Sequence, residues 1–360
     1  MSATHASEFL NFEELPHLAE SGYISIREHS SGLRIYNYTA RAAYCDAWTP
    51  ETLTCRGLIL DHGGYVVARP FRKFFNLSQH LPESSPLPRL PIGSPFEAWE
   101  KLDGSLGVSF RNPETNRIEI ATRGSFSSEQ ARWATAWWRE RCGDTEIPLG
   151  QTWLFEIIYP ANRIVVNYGS RAELVLIAAI DNATGEDLPL PGWAGASAKR
   201  FDVGSVEELL SSAPPGASFE GFVLRYSSTG QRVKVKLDEY VRLHRILTSC
   251  SNRTIWEALS CGGSLDDVLD HVPDEFYAWV RREEARQKEE FASIEARCRK
   301  TFEASGAASM SMSRKDAAAI FTKQGNPAIL FKMLDGKDYA PLIWKAIYPD
   351  HVLPFAEDEP

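Results

Sequence analysis

The sequence lacks the features of membrane-spanning, secreted and zinc-binding proteins. No apolar run approaches the roughly 20 residues that a membrane-spanning helix needs. The acidic N-terminal segment MSATHASEFLNFEEL has no basic stretch followed by an apolar core, so secretion is not expected. The six cysteines are scattered, with no CxxC pair and no Cys/His spacing typical of a metal site. We therefore expect reduced thiols in a cytoplasmic protein.

Three further absences narrow the functional classes. There is no internal repeat or low-complexity tract, and no GxxxxGK[ST] loop that would indicate a kinase activity. An excess of positive charge is missing too. The formal net charge of -9 argues against a protein that coats nucleic acid nonspecifically. An enzyme that acts on nucleic acid needs only a local basic groove, so the charge balance leaves that class open.

The pattern of apolar residues predicts an α+β protein of at least two domains. Residues 1 to about 90 read as short strands and turns that end in a proline-rich surface connection over 82–95. From Phe96 to about Arg245 strands dominate. The predicted strands are FEAWEK, LGVSF, IEIATR, TWLFEII, LVLIAAI, GFVLRY and VKVKL.

Helices are predicted at one place inside the strand region and throughout the C-terminal part. Ser127 and Gln130 match a capping box ahead of apolar residues at helical spacing. After residue 245 we expect helices over about 274–305, after a cap at Ser313, and in PAILFKML and APLIWKAI. The predicted boundaries are a catalytic domain over 1–245, with 1–90 as its N-terminal part, and a helical domain over 246–360.

The segment Lys101-Leu102-Asp103-Gly104-Ser105 joins two predicted strands. A lysine there presents its amine at the edge of a sheet, and the turn lets backbone approach a ligand closely. The ordinary alternative is an exposed hairpin with a solvated lysine.

Alternation in RVKVKL places Arg232, Lys234 and Lys236 on one face of a strand. A polyphosphate site would use such a row of cations, whereas protection of an edge strand is the ordinary explanation.

Two glutamates stand inside predicted strands, Glu156 in TWLFEII and Glu220 in FEGFVLRY. Glutamate is uncommon in strands and is rarely buried without a partner. Each could simply face solvent. The functional alternative is binding of ribose hydroxyls and of hydrated Mg²⁺, which accepts carboxylates. The upstream pairs Arg56-Gly57 and Lys73-Phe74 mean little alone.

Taken in order, these segments resemble the phage-type RNA ligases, the first RNA ligase family of the covalent nucleotidyltransferase superfamily. The resemblance covers most of residues 50–245. It is carried by RGLIL, RKFFNL, KLDGSLG, TRGSFSSEQA, LFEIIYPANRIVVNYG, EGFVLRY and VKVKLDEYV. The tail LFKMLDGKDYAPLIWKAIYP is similar to the C-terminal ends of bacterial members.

The resemblance implies an ATP-grasp-like adenylylation domain of antiparallel sheets with flanking helices, and an ATP-dependent RNA ligase. Lys101 would attack ATP and form a lysyl-AMP adduct. AMP would then pass to an RNA 5′-phosphate, and a 3′-hydroxyl would displace it. The implied partners are RNA ends, tRNA among them, and an end-healing kinase or phosphatase. RNA repair is the implied role.

Residue by residue, the resemblance assigns Lys101 as the catalytic nucleophile, and Mg²⁺ or Mn²⁺ to Glu156 and Glu220. The nucleotide-binding residues that it implies are Arg56, Lys73, Asp103, Gly104, Arg123, Glu156, Glu220, Lys234 and Lys236.

Two departures from the family pattern concern Arg123, where lysine is usual, and LVLIAAI, which lacks the aromatic residue that often stacks on the purine. The adenine-packing residue is therefore unassigned. The alternatives are a DNA ligase, a GTP-using capping nucleotidyltransferase and a catalytically dead RNA-binding relative. The predicted helical tail argues against the first two, which resemble chains that continue into a β-rich OB domain. The presence of five expected residues argues against the third, because a decayed site should have lost some of them: Lys101, Glu156, Glu220, Lys234 and Lys236.

Overall fold

A computed structural model describes residues 4–82, 85–143, 145–213, 219–237, 251–265, 269, 277–307 and 313–350. The chain divides into two compact units, Met1–Leu247 and Thr248–Pro360. The domain boundary that the sequence predicts at 245/246 lies outside the described residues.

The strands of the first unit form three sheets. In chain order they are β1 (Ile24–Glu28), β2 (Arg34–Tyr38), β3 (Arg56–Leu60), β4 (Val66–Ala68), β5 (Phe75–Asn76), β6 (Phe96–Lys101), β7 (Ser105–Arg111), β8 (Ile118–Thr122), β9 (Gln151–Ile158), β10 (Glu173–Asp181), β11 (Asp187–Leu188), β12 (Ala196–Ser197), β13 (Arg200–Phe201), β14 (Gly221–Tyr226) and β15 (Arg232–Lys236).

The helices of the first unit are short except for one. They are α1 (Leu15–Glu20), α2 (Ala40–Tyr44), α3 (Pro50–Thr54), α4 (Leu77–His80), α5 (Glu129–Arg141) and α6 (Val206–Ser211), with 3₁₀ turns at Ala6–Glu8, Phe12–Glu14 and Pro160–Asn162. The sequence predicted only strands and turns before residue 90, so α1 to α4 were missed. Their four to six residues give too few turns for a periodic apolar pattern.

The three sheets have distinct strand orders. The first is an antiparallel β1-β2-β3-β4 sheet, and the second runs β11-β10-β9-β7-β8 with β12 parallel to β10. The third runs β13-β6-β14-β15-β5 and is antiparallel except for the β15–β5 pair. The seven strands predicted between residues 96 and 237 are confirmed as β6 to β10, β14 and β15.

The strand pairing excludes two of the ordinary alternatives. The segment after Lys101 is not a hairpin tip, because β6 belongs to the third sheet and β7 to the second. It therefore carries the chain from one sheet to the other. Strand β15 is not an edge, since it pairs with β14 on one side and with β5 on the other. Its cations are not explained by edge protection.

The second sheet is buried on both faces, which explains the continuous apolar run of β9. Phe155 and Ile157 pack with Trp138 of α5, whereas Leu154 packs with Ile35 of β2 on the opposite side. Glu156 shares the face of Leu154 because side chains alternate along a strand. The capping residue of α5 is Ser128, whose hydroxyl accepts the Ala131 N–H, and not Ser127 as predicted.

The second unit is helical in its described residues. Its helices are α7 (Asn252–Ser260), α8 (Tyr277–Ala304), α9 (Arg314–Phe321), α10 (Pro327–Leu334) and α11 (Ala340–Ala346). The predicted cap at Ser313 is confirmed, since its side chain accepts the Asp316 N–H. The expected start of the long helix, at 274, falls outside the described residues. The unit packs around a core that includes Phe321, Leu330 and Ile343.

The structure bears on two features that the sequence lacks, membrane-spanning segments and paired cysteines. In the described part of the chain, no helix is long and apolar enough to cross a membrane. Five cysteines have free thiols there, and Cys250 lies outside the described residues.

Candidate active site

The register of the third sheet aligns Lys101 with Lys236. Gly221, the first residue of β14, pairs with Lys101 on one neighbouring strand and with Lys236 on the other. Three strands from distant parts of the sequence therefore place one lysine on each side of Gly221. The two lysines lie at the end of β6 where the chain crosses to the second sheet.

Gly221 is the residue that this arrangement requires. Its φ is +149°, and a Cβ built there would lie 2.1 Å from the carbonyl oxygen of Val235 and 2.8 Å from Cα of Lys236. Both contacts are with backbone, so no side-chain movement relieves them. Only glycine lets β14 and β15 approach this closely.

Glu220, immediately before that glycine, links the two lysines. The Lys101 amine donates to Glu220 Oε2 at 2.7 Å, and the Lys236 Nζ lies 3.6 Å from Glu220 Oε1. The glutamate side chain is only 3% exposed. A buried carboxylate is costly unless it is paired, and here two cations offset that cost. The solvent-facing alternative for Glu220 is therefore wrong.

The turn after Lys101 is tied to the segment that follows β9. Asp103 is buried, and its Oδ2 accepts the N–H groups of Val165 and Val166 at 2.8 and 2.7 Å. The Asp103 N–H donates to the Tyr168 hydroxyl oxygen at 2.8 Å. These contacts hold the IVVNYG segment against the Lys101 turn. Burial raises the pKa of the Tyr168 hydroxyl, so the phenol stays neutral.

Glu156 lies against the same turn from the second sheet. The Gly104 N–H donates to Glu156 Oε1 at 3.0 Å, and a Cβ at Gly104 would meet the Ile157 carbonyl oxygen at 2.5 Å. Burial raises the pKa of Glu156 to about 7, with Glu220 and Asp103 acting in the same direction and Lys101 opposing them. A carboxyl of this kind exchanges its proton near neutral pH.

The remaining predicted residues surround aromatic rings. The Lys73 amine lies 5.3 Å from the ring centroids of Tyr38, Trp48 and Phe75. Arg123 donates to the Tyr38 hydroxyl at 3.0 Å and lies over that ring. Tyr38 therefore connects Lys73 with Arg123.

Phe74 makes a second connection of the same kind. The Arg56 guanidinium lies 5.5 Å from its centroid, and the Lys234 amine 5.9 Å. Lys234 and Lys236 share one face of β15, roughly 7 Å apart along the strand. Lys234 therefore lies between the Phe74 ring and Lys236, the residue that contacts Glu220 beside Lys101.

Arg232 does not act with the two lysines of its strand. Its guanidinium is paired with Asp187 and lies 4.8 Å from the Phe71 centroid. Burial lowers its pKa, and Asp187 opposes that effect. The ion pair explains this cation without a ligand.

Glu156 and Glu220 are the carboxylates that could hold a metal ion at this site. The described residues contain no group of three or more His, Cys, Asp or Glu side chains that could hold an ion. Mg²⁺ does not require one, because it commonly binds through one or two carboxylates and substrate phosphates and keeps several waters. Glu156 and Glu220 fit that mode, since the charge of Glu220 acts on Glu156 across the Lys101 turn and contributes to the raised pKa of Glu156.

Tyr38, Trp48 and Tyr168 are the site residues that sequence reasoning missed. Tyr168 lies inside the segment LFEIIYPANRIVVNYG, which carries part of the resemblance to RNA ligases, and that resemblance was the available signal. Nothing in the sequence around Tyr38 distinguishes it from a core residue of β2. The whole arrangement holds an amine beside carboxylates, with further cations on β15, which suits a nucleophile that reacts at a phosphate.

Comparison with known proteins identifies the family. The profile of a family described as RNA ligase matches residues 54–240, just over half of the chain. The chain therefore belongs to the phage-type RNA ligase family.

Two curated relatives share part of the sequence. A protein of Autographa californica nuclear polyhedrosis virus, provisionally named bifunctional polynucleotide kinase/RNA ligase, is 27% identical over 298 residues, which are 75% of this chain and 42% of the relative. A Thermovibrio ammonificans protein, provisionally named RNA ligase, is 31% identical over 221 residues, 57% of this chain and 56% of the relative. The chain thus spans about half the length of these relatives.

Solved structures show more distant similarity. An archaeal ATP-dependent RNA ligase has a TM-score of 0.44 and 14% identity, and covers 92% of this chain and 97% of its own. A Naegleria gruberi RNA ligase with PPi has a TM-score of 0.33 and 16% identity, and covers 43% of this chain and 52% of its own. The family assignment rests on the sequence match alone.

Proposed function

We propose that the protein is an ATP-dependent RNA ligase that seals 5′-phosphate and 3′-hydroxyl ends through a covalent AMP adduct on Lys101. Membership of the RNA ligase family supports the substrate class. The observation that carries the assignment is the Lys101 amine, held 2.7 Å from the buried Glu220 carboxylate beside Lys236.

In the first step the neutral amine of Lys101 attacks the α-phosphate of ATP. A P–N bond forms, the bond to the β-phosphate breaks, and pyrophosphate leaves. The ammonium form must first lose a proton, and the Glu220 carboxylate is the acceptor in direct contact with it. Lys236 and Lys234 are proposed to stabilise charge on the transferred phosphate, and the position of Lys236 beside Glu220 supports this role.

In the later steps AMP passes to the RNA 5′-phosphate, and a 3′-hydroxyl attacks that phosphate and releases AMP. Arg56, Lys73 and Arg123 are proposed to serve the phosphates of ATP or of the RNA end. Their packing on Tyr38 and Phe74 fixes the positions of the cations before substrate binds. Fixed cations lose less conformational freedom when they bind a phosphate.

Glu156 and Glu220 are proposed to hold Mg²⁺ or Mn²⁺, and Asp103 and Gly104 to shape the nucleotide pocket. A bound divalent ion would neutralise phosphate charge. When no ion is present, the raised pKa of about 7 lets Glu156 take up a proton instead.

A separate kinase or phosphatase activity is proposed to prepare the RNA ends. The viral relative combines polynucleotide kinase and RNA ligase in its name. This sequence contains no GxxxxGK[ST] loop of its own. Repair of broken RNA, tRNA included, is the role that such a pair of activities would serve.

The decisive experiment is AMP transfer from labelled ATP to the protein. The native chain should acquire one acid-labile adduct, and Lys101→Ala should acquire none. Lys199→Ala is the matched control, because Lys199 precedes the neighbouring strand β13 and its carbonyl accepts the Glu100 N–H. An adduct of normal yield on Lys101→Ala would overturn the assignment.

The same adenylylated protein separates the alternatives. Sealing of 5′-phosphorylated RNA but not of the matching DNA, with ATP but not GTP, is expected. Sealing of DNA would favour a DNA ligase, and an adduct from GTP alone would favour a capping enzyme. Absence of any adduct in a folded protein would favour an RNA-binding relative without catalysis.

A further inference from the structure

A cavity of about 430 Å³ lies in the first unit between the end of α5, the start of β10 and β12. Two arginines, Arg141 and Arg171, and the indole of Trp137 form part of its lining. None of the residues assigned above to the nucleotide or to Lys101 chemistry lines it. Its volume falls in the range of small-ligand sites.

The charge of the cavity favours an anion. Arg141 is exposed and lies 5.4 Å from the Trp137 centroid. Arg171 donates from Nε to Glu173, and among the described residues no side-chain hydrogen bond is made by its two terminal nitrogens. A guanidinium has five N–H donors in a planar fork that matches phosphate oxygens. Two arginines and one glutamate leave the residues that line the cavity with a net positive charge.

The rest of the lining suits a flat, partly apolar group. Ala172, Ala194 and Ala196 leave room beside the indole. Gly195 leaves room for the Trp193 ring at the cavity wall, since a Cβ there would lie 2.3 Å from that ring. The Trp137 indole donates to the Ala172 carbonyl oxygen at 3.1 Å, which holds the ring in place. Aromatic surfaces combined with arginines are the usual means of holding single-stranded RNA.

The cavity is connected to the Lys101 turn. The Arg171 guanidinium lies 5.6 Å from the Tyr168 centroid, and the Tyr168 hydroxyl accepts the N–H of Asp103. Arg171 also lowers the pKa of Glu100, the residue before Lys101, against the larger effect of burial. A strand whose end reaches Lys101 can therefore reach the cavity within a few nucleotides.

We propose that this cavity binds one nucleotide of the RNA strand, with its phosphate on Arg141 and Arg171 and its base against Trp137 and the small residues. This inference deepens the proposed function, since it takes RNA as the substrate.

The test is the affinity of the full chain for a 5′-phosphorylated, 3′-fluorescein single-stranded RNA, measured by anisotropy without ATP. Arg141→Ala combined with Arg171→Ala should weaken binding ~10-fold or more and lower the salt dependence of log K by about one to two. Arg139→Ala is the matched control. It removes one positive charge from the same helix, but Arg139 pairs with Glu119 outside the cavity.

A second variant keeps the test independent of the two arginines. Ala194 is an exposed lining residue, so Ala194→Glu adds a negative charge to the cavity without disturbing the core. It should weaken RNA binding at least as much as Arg141→Ala alone. Native affinity in both Ala194→Glu and the double arginine variant would overturn the proposal.

Two measurements distinguish this inference from binding of free ATP in the cavity and from failure of the proposed function. If the cavity held free ATP instead, Arg141→Ala would raise the ATP concentration for half-maximal adduct formation, which we expect to be unchanged. Failure of the proposed function would appear as a native protein that forms no adduct, whether or not RNA binding depends on the cavity.

Discussion

Replacing Glu156 by glutamine isolates the energetic cost of the ionised carboxylate in the site. The change removes the charge but keeps an Oε1 that can accept the Gly104 N–H, now at 3.0 Å. The pKa of this carboxyl is raised by burial from the usual 4.5 to about 7. The folded protein therefore binds the Glu156 proton more tightly than the unfolded chain does.

The sign and size of the effect follow from that shift. Because the pKa of Glu156 is higher in the folded state, its bound proton stabilises the fold fully at pH values below the unfolded-state pKa. This stabilisation is lost as the pH rises through the folded-state pKa. Between about pH 4.5 and about pH 7 the native protein should lose a contribution on the order of 3 kcal/mol, at 1.36 kcal/mol per pH unit. Glutamine does not titrate, so Glu156→Gln should not show this loss.

The assay is urea unfolding of ligand-free protein with chelator present, at about pH 5 and at about pH 8. The quantity compared is the change in the urea midpoint between the two pH values. Its difference between the native protein and the variant cancels the contributions of the other titrating groups. Glu186→Gln is the control, because Glu186 is exposed. The reasoning fails if Glu156→Gln loses as much stability as the native chain on going to the higher pH.

Three further predictions concern Gly221, Arg123 and the helical second unit. Gly221→Ala should destabilise the first unit by at least ~1–3 kcal/mol in a denaturant melt and lower adduct yield, because its Cβ would overlap Val235 and Lys236 backbone; a fully native melt would contradict this. Arg123→Lys should keep most sealing activity, whereas Arg123→Ala should reduce it about tenfold or more by losing the cation beside Tyr38, and equal native rates for both would make Arg123 a solvated strand end. A chain ending near residue 245 should still form the lysyl-AMP adduct, since every proposed nucleotide residue precedes that point. If the helical unit docks folded RNA, that shortened chain should lose joining of a nicked stem-loop far more than joining of a short single strand, and an equal loss on both substrates would leave that unit a structural role.

Local patterns in the sequence were sufficient to predict most strands, but not their partners. Alternation identified β6 and β14 with their observed bounds, because each has one face against a core. It could not show that β6 and β7 enter different sheets, since a turn of Asp-Gly-Ser permits both a hairpin and a crossing between sheets. The choice depends on pairing with residues more than 100 positions away, such as Gly221 opposite Lys101.

For the candidate site too, the sequence predicted individual residues but not the contacts between them. Lys101, Glu220 and Lys236 stand out because charged residues interrupt apolar strands, yet their mutual contacts depend on the register of three strands. Tyr38 and Tyr168 were missed because a tyrosine in an apolar segment is most often a core residue. Tyr38 is indeed 5% exposed, and only its position between Lys73 and Arg123 distinguishes it.

The contacts that position Lys101, the proposed nucleophile, also contribute to the stability of the fold. Glu220 is buried with two lysines, and a buried ion pair that loses one partner is destabilised by several kcal/mol because the other charge stays uncompensated. Lys101 is itself 22% exposed and can be solvated when Glu220 is absent, whereas Glu220 cannot be solvated when the lysines are absent. Loss of both lysines should therefore cost the fold more than loss of the glutamate. This asymmetry identifies Glu220 as the residue that holds both lysines in place before substrate binds. If a triphosphate binds there as proposed, it meets two cations whose positions are already fixed, so less conformational freedom is lost on binding.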